Sequence, residues 1–167
     1  MANIVETFLL RPIRAVARAI GAGRQEGKPV TLTLASSDGV RPRVLCVDDN
    51  PDILRVLKRQ LGQRFDLSIA QTANDALALM GRAPFDVIIS DLRMPDVHGL
   101  VFLKKARQLA PSSERIILTG QADPTTMSVA RGAAGTEVLI NKPWLKDELI
   151  EAVDSAVQRR RAKGAAT

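Results

Sequence analysis

Two aliphatic runs end abruptly in carboxylates, an arrangement suited to holding a hard cation. Val44-Leu45-Cys46-Val47 is followed by Asp48 and Asp49, and Val87-Ile88-Ile89-Ser90 by Asp91. A short apolar run closing on acid reads as a buried parallel strand whose polar end opens at the carboxyl edge of a sheet. That edge is where open α/β sheets bind ligands. Three carboxylates crowded there repel one another unless a cation joins them, so Asp48, Asp49 and Asp91 together predict a hard-metal site. Two later strand-like runs end in Thr119 and Asn141-Lys142. Adding a hydroxyl and an ammonium to three carboxylates gives the parts of a Mg²⁺-dependent phosphoryl-transfer site. One carboxylate can become an aspartyl-phosphate while Lys142 and Thr119 meet the phosphoryl oxygens.

The elements that must position these residues alternate regularly. Strand signals fall at Val44–Val47, Phe65–Ala70, Phe85–Ser90, Arg115–Thr119 and Glu137–Asn141. Between them, Asn50-Pro51 caps a helix carried by Ile53, Leu54, Leu57 and Leu61. Thr72 caps a second, which Gly81 should stop. Gly99–Leu109 reads as a third, with Leu100, Leu103 and Ala106 inward. Asp123-Pro124 opens a fourth, and Leu145–Arg160 forms the last. Five βα units with short connections predict a parallel sheet covered on both faces and built from right-handed crossovers.

Composition narrows the field. The chain has 167 residues, 46% of them hydrophobic, which suits one domain with a real core rather than a disordered polymer. Aromatics make up 3% and tyrosine is absent, so the stacking platforms of single-strand binders are missing. A single cysteine, Cys46, excludes a disulfide framework and a cysteine zinc site. No stretch reaches the length of a membrane span and no secretory leader is evident, so a soluble, cytoplasmic setting is expected. The net charge of +6 sits at the ends. Residues 1–43 and 158–167 each carry +4, whereas 44–157 carry −2. The high isoelectric point is therefore no sign of a nucleic-acid-binding body.

Residues 1–41 form an extension outside the βα pattern. Ile4, Phe8, Ile13, Val16 and Ile20 share a stripe, predicting a basic amphipathic helix over about 3–20. A linker and a short strand-like segment, 30–34, follow. The body is expected over 42–160, and 161–167 is expected to be a disordered basic tail, with Arg159-Arg160-Arg161 a solvated helix end.

Four blocks in order carry a resemblance. Val47-Asp48-Asp49-Asn50, Ser90-Asp91-Leu92-Arg93-Met94-Pro95 with Gly99, Leu118-Thr119-Gly120, and Asn141-Lys142-Pro143-Trp144 resemble the signature blocks of bacterial response-regulator receiver domains. The resemblance implies a flavodoxin-like α/β fold, a doubly wound five-stranded parallel sheet of order 2-1-3-4-5. It implies that Asp91 accepts phosphate from a sensor histidine kinase or a histidine phosphotransfer protein. It also implies that Mg²⁺ is held by Asp48, Asp49, Asp91 and the main-chain oxygen of Arg93. Lys142 would pair with the phosphoryl group, Thr119 would move to bond it, and the Lys142–Pro143 peptide would be cis. Where such receivers carry an aromatic switch residue, this chain has Leu139, which lacks the ring's area and polar tip.

Output is expected through protein–protein interaction, with residues 1–41 too short for a typical DNA-binding or catalytic domain and Met1–Ile20 serving as a docking or homodimerising helix. The alternative is phosphorylation-controlled binding of that helix to a membrane surface or nucleic acid. Haloacid-dehalogenase-type phosphatases also phosphorylate an aspartate, but they need a second acid two residues later. Arg93 follows Asp91 at that spacing and Pro51 follows Asp49, so no enzyme turning over external phosphate esters is expected.

Overall fold

The computed structural model describes residues 40–120 and 138–165, with Ser128, Ala130, Gly132 and Gly135 between them. The expected amphipathic helix, linker and strand-like segment of residues 1–39 lie outside the described residues, as does most of the helix expected from Asp123.

The aliphatic runs form the strands they predict. The order of elements is β1 (Arg43–Val47), α1 (Pro51–Leu61), β2 (Asp66–Ala70), α2 (Ala73–Arg82), β3 (Val87–Asp91), α3 (Gly99–Leu109), β4 (Glu114–Thr119), β5 (Val138–Asn141) and α4 (Lys146–Ala165). All strand pairs are parallel, in the order β2-β1-β3-β4-β5. Every residue of β3 and β4 is buried, as expected for central strands covered on both faces, while β2 and β5 are partly exposed edges.

Alternation along the strands splits the core into two layers. Val44, Cys46, Ile89, Ile116 and Leu118 face α1 and α4, where they meet Leu54, Leu57, Leu61, Leu149 and Val153. Leu45, Val47, Ile88 and Ile117 face α2 and α3, meeting Ala76, Phe102, Leu103 and Ala106. Each fully buried leucine or isoleucine contributes about 1.5–3 kcal/mol relative to exposure, so these layers dominate the stability of the sheet.

The caps fix where helices start. Asn50 accepts a hydrogen bond from the Asp52 N–H at 2.8 Å, and Thr72 accepts from Asp75 at 3.1 Å. Such caps are worth about 1 kcal/mol each. Gly81 does not stop α2, which runs on to Arg82. The helix instead ends at Ala83, whose extended backbone leads into Pro84, a residue that disfavours helical geometry just before it.

The tail expectation also needs correction. Helix α4 continues past Arg160 to Ala165, where its basic residues have the buried Glu114 and the half-buried Asp86 to reach. Arg159 and Lys163 both donate to Glu114, at 3.2 and 2.7 Å, and Arg160 lies 2.6 Å from Asp86. Glu114 is only 4% exposed. Burial pushes its carboxyl up, but the bonds from Lys163 and Arg159 outweigh this and hold it below the ordinary value of 4.5. Asp86 also accepts from the main-chain N–H of Arg43 at 2.7 Å. Ion pairs thus close the amino edge of the sheet, opposite the edge where β1, β3 and β4 end in polar residues.

Candidate functional site

At the carboxyl edge, parallel register sets strand ends side by side. Val47 pairs with Ser90, Asp91 with Leu118, and Thr119 with Asn141. Asp48, Asp91, Thr119 and Lys142 therefore arrive at one edge because four strands run the same way. Asp48, Asp91 and Thr119 are all buried.

Lys142 joins two of the acids. Its ammonium lies 2.6 Å from Asp48 Oδ2 and 2.8 Å from Asp91 Oδ1. Its main-chain N–H donates to the Thr119 carbonyl at 2.7 Å, extending the β4–β5 ladder by one rung beyond the strand. The Lys142–Pro143 peptide bond is cis. The second oxygen of Asp48 accepts from the Asn50 N–H at 2.9 Å, and that of Asp91 from the Arg93 N–H at 3.1 Å. Both carboxylates are thus oriented by main chain on one side and by the lysine on the other.

Burial and pairing compete here. Desolvation pushes the Asp48 carboxyl above its ordinary value of 3.8, and the bonds from Lys142 and Asn50 return only part of that shift. Burial also works against the charge on Lys142, but Asp48 and Asp91 more than compensate, holding the ammonium firmly protonated.

Asp49 does not join the other two acids. Its side chain is exposed, and among the described residues no three acidic, histidine or cysteine side chains form a ready metal-binding group. Asp48 directly follows β1 and is buried at the sheet edge, whereas Asp49 sits in the bend beyond it and meets solvent. The donor set nonetheless suits a divalent ion. One ammonium already touches both Asp48 and Asp91, so one cation can reach both, and three carboxylates against one lysine leave an excess of negative charge.

A close backbone approach shapes the Asp91 loop. Gly99 donates to the Leu92 carbonyl at 2.8 Å, and a Cβ on Gly99 would lie 2.0 Å from the Asp91 carbonyl oxygen. Only glycine fits there. His98, the residue before it, is exposed and caps α3 through Nδ1 on the Leu100 N–H at 3.4 Å. Leu139, at the position of the expected aromatic, is half-buried against the α2–α3 core layer. Glu114, and Gln60 on the last turn of α1, carried no pattern in the sequence that marked them for a role.

Comparisons with known proteins converge on one family. Residues 44–154 match the response regulator receiver domain. The hydrogenase transcriptional regulatory protein HoxA of Cupriavidus necator is 36% identical over 121 residues, covering 72% of this chain and 25% of HoxA. The C4-dicarboxylate transport transcriptional regulatory protein DctD of Rhizobium meliloti is 31% identical, covering 72% of this chain and 26% of DctD. The chain therefore spans about a quarter of the length of these relatives. Among solved structures, the signal receiver domain of an HD domain-containing protein from Pseudomonas fluorescens Pf-5 superposes with a TM-score of 0.74 at 28% identity, covering 80% of this chain and 99% of that one. A CheY-like receiver from Methanospirillum hungatei JF-1 gives 0.70 at 29% identity, covering 74% and 98%. With its five-stranded parallel sheet and acid-lined carboxyl edge, the chain belongs to the receiver-domain family of two-component response regulators.

Proposed function

We propose that Asp91 accepts a phosphoryl group from the phosphohistidine of a sensor kinase or phosphotransfer protein, and that the phosphorylated chain signals through protein–protein contact. The observation that supports this reading most directly is the position of the Lys142 ammonium between Asp48 and Asp91. In the transfer, an Asp91 oxygen forms the new P–O bond while the P–N bond to the donor imidazole breaks and its electron pair leaves with the nitrogen. The Arg93 N–H keeps the carboxylate aimed, and Lys142 exchanges a carboxylate oxygen for a phosphoryl oxygen. Thr119, at the neighbouring strand end, supplies a hydroxyl to the same group. Asp48, Asp91 and the main-chain oxygen of Arg93 would hold Mg²⁺, with the exposed Asp49 turning in from solvent to complete the set, and the ion when bound would neutralise charge on the phosphoryl oxygens.

Incubation with a small acyl phosphate, followed by intact mass, tests this. The wild type should gain one phosphoryl group, Asp91→Asn should gain none, and chelation of Mg²⁺ should suppress the gain. Equal uptake by Asp91→Asn, or uptake indifferent to chelation, would overturn the assignment.

A further inference from the structure

The only tryptophan stands directly after the Lys142–Pro143 pair, and it is tied to a different element. Trp144 Nε1 donates to Gln60 Oε1, on the last turn of α1, at 2.9 Å. The indole is half-buried and packs against the core layer shared by α1 and α4. The amino end of α1 is fastened too, since the N–H of its cap residue Asn50 donates to Asp48, one of the two acids that Lys142 holds. The links close a circuit. It runs from Asp48 through Asn50 and α1 to Gln60, across to Trp144, back along the chain to Lys142, and from its ammonium to Asp48 again.

From this circuit we infer that Gln60 is a positioning residue for phosphoryl transfer, acting through Trp144 to fix Lys142; the inference rests on the reading of Asp91 as phosphoacceptor. Lysine is a flexible four-carbon stem, so its ammonium is placed only as well as its backbone is. On one side the Lys142 backbone is fixed by its bond to Thr119. On the other side comes Pro143, which has no N–H to give, so the next anchor in the chain is the indole on Gln60. Helix α4 begins only at Lys146. Loss of the bond frees the corner between strand and helix, and misplacement by a fraction of an ångström at a charged transfer site is costly.

Gln60→Leu removes the acceptor while keeping similar bulk, and Gln60→Glu keeps an acceptor oxygen. With a small acyl phosphate and Mg²⁺, Gln60→Leu should slow phosphoryl uptake about threefold to tenfold, the range that loss of one hydrogen bond supports. Gln60→Glu should stay within about twofold of wild type, a rescue that general loosening of the fold does not give. Emission provides the second readout. Trp144 is the sole tryptophan and there is no tyrosine, so fluorescence reports this indole alone. Gln60→Leu should shift it in the resting protein. Unchanged emission would overturn the inference by showing that the bond is not made. A shifted emission with unchanged uptake, or equal slowing in both variants, would also overturn it while leaving the role of Asp91 intact. A wild type that takes up no phosphate would sink both.

Discussion

Replacing Lys142 with methionine asks whether one ammonium holds two buried acids at neighbouring strand ends. Methionine keeps most of the apolar stem and removes the charge. Its loss exposes Asp48, with a side chain 1% exposed, and Asp91, 10% exposed, to each other without a cation between them. Removing one partner of a buried ion pair costs about 3–5 kcal/mol. Because the Lys142 side chain is itself 20% exposed, the lower end applies, about 3 kcal/mol. For a domain of this size that is a fall of about 6–12 °C in the melting midpoint. The penalty depends on ionised carboxylates, which sets its pH dependence. Burial already raises the Asp48 carboxyl above 3.8, and without its hydrogen bond to Lys142 it rises further. A carboxyl raised in the folded state binds its proton more tightly there, so the penalty is full above the folded-state pKa and fades as pH falls toward 3.8. Thermal melts of both proteins from pH 8 downward should therefore show a gap that closes with acidification. Excess Mg²⁺ at pH 8 should narrow it as well. A variant as stable as the wild type at pH 8, or a gap that does not change with pH, refutes the reasoning.

Three further outcomes are expected. Glu114→Gln should cost about 1–2 kcal/mol at pH 7, allowing for the exposure of Lys163. Because the Glu114 carboxyl is held below 4.5, its contribution is present above that value and lost as pH falls through the lowered one, so urea titrations should show the two proteins converging in acid. Gly99→Ala should destabilise by about 1–3 kcal/mol, since its methyl meets the Asp91 carbonyl, and a urea midpoint equal to that of the wild type would contradict the close approach. Cys46 is fully buried, which pushes its thiol pKa well up, so a thiol reagent at neutral pH should label it only at the rate of unfolding.

Much of this architecture was legible because continuous apolar runs and strand-end acids are local signals. Asp91 and Lys142 could be placed at one edge once five parallel βα units were recognised. The capping residues Asn50 and Thr72 announced α1 and α2 in the same way. What sequence could not give were the partners that depend on long-range meetings. Asp48 and Asp49 are neighbours of one type, and only the fold decides that the first is buried and the second exposed. Glu114 fell just outside the strand expected from Arg115, Arg159 read as part of a solvated helix end and Lys163 as part of a basic tail, and only the fold brings the acid and the two cations together across 45 and 49 residues. Gly81 read as a stop signal, but a glycine on an exposed helix face costs only about 1 kcal/mol, too little to end α2 before Pro84 does. Residues 1–39 carry a helical stripe in sequence that no described residue can be weighed against.

The two fastenings of α4 have a mechanical consequence. At 20 residues the helix is a rod about 30 Å long, running from the acid-lined edge of the sheet to the opposite one. Near its foot the indole is clipped to α1, and near its tip two cations grip one sunken glutamate. Such a rod cannot tilt at the foot without levering against the tip. A shift of the lysine that begins at one rim of the sheet must either be absorbed in the proline corner or be felt, a molecule's width away, as a pull on Glu114.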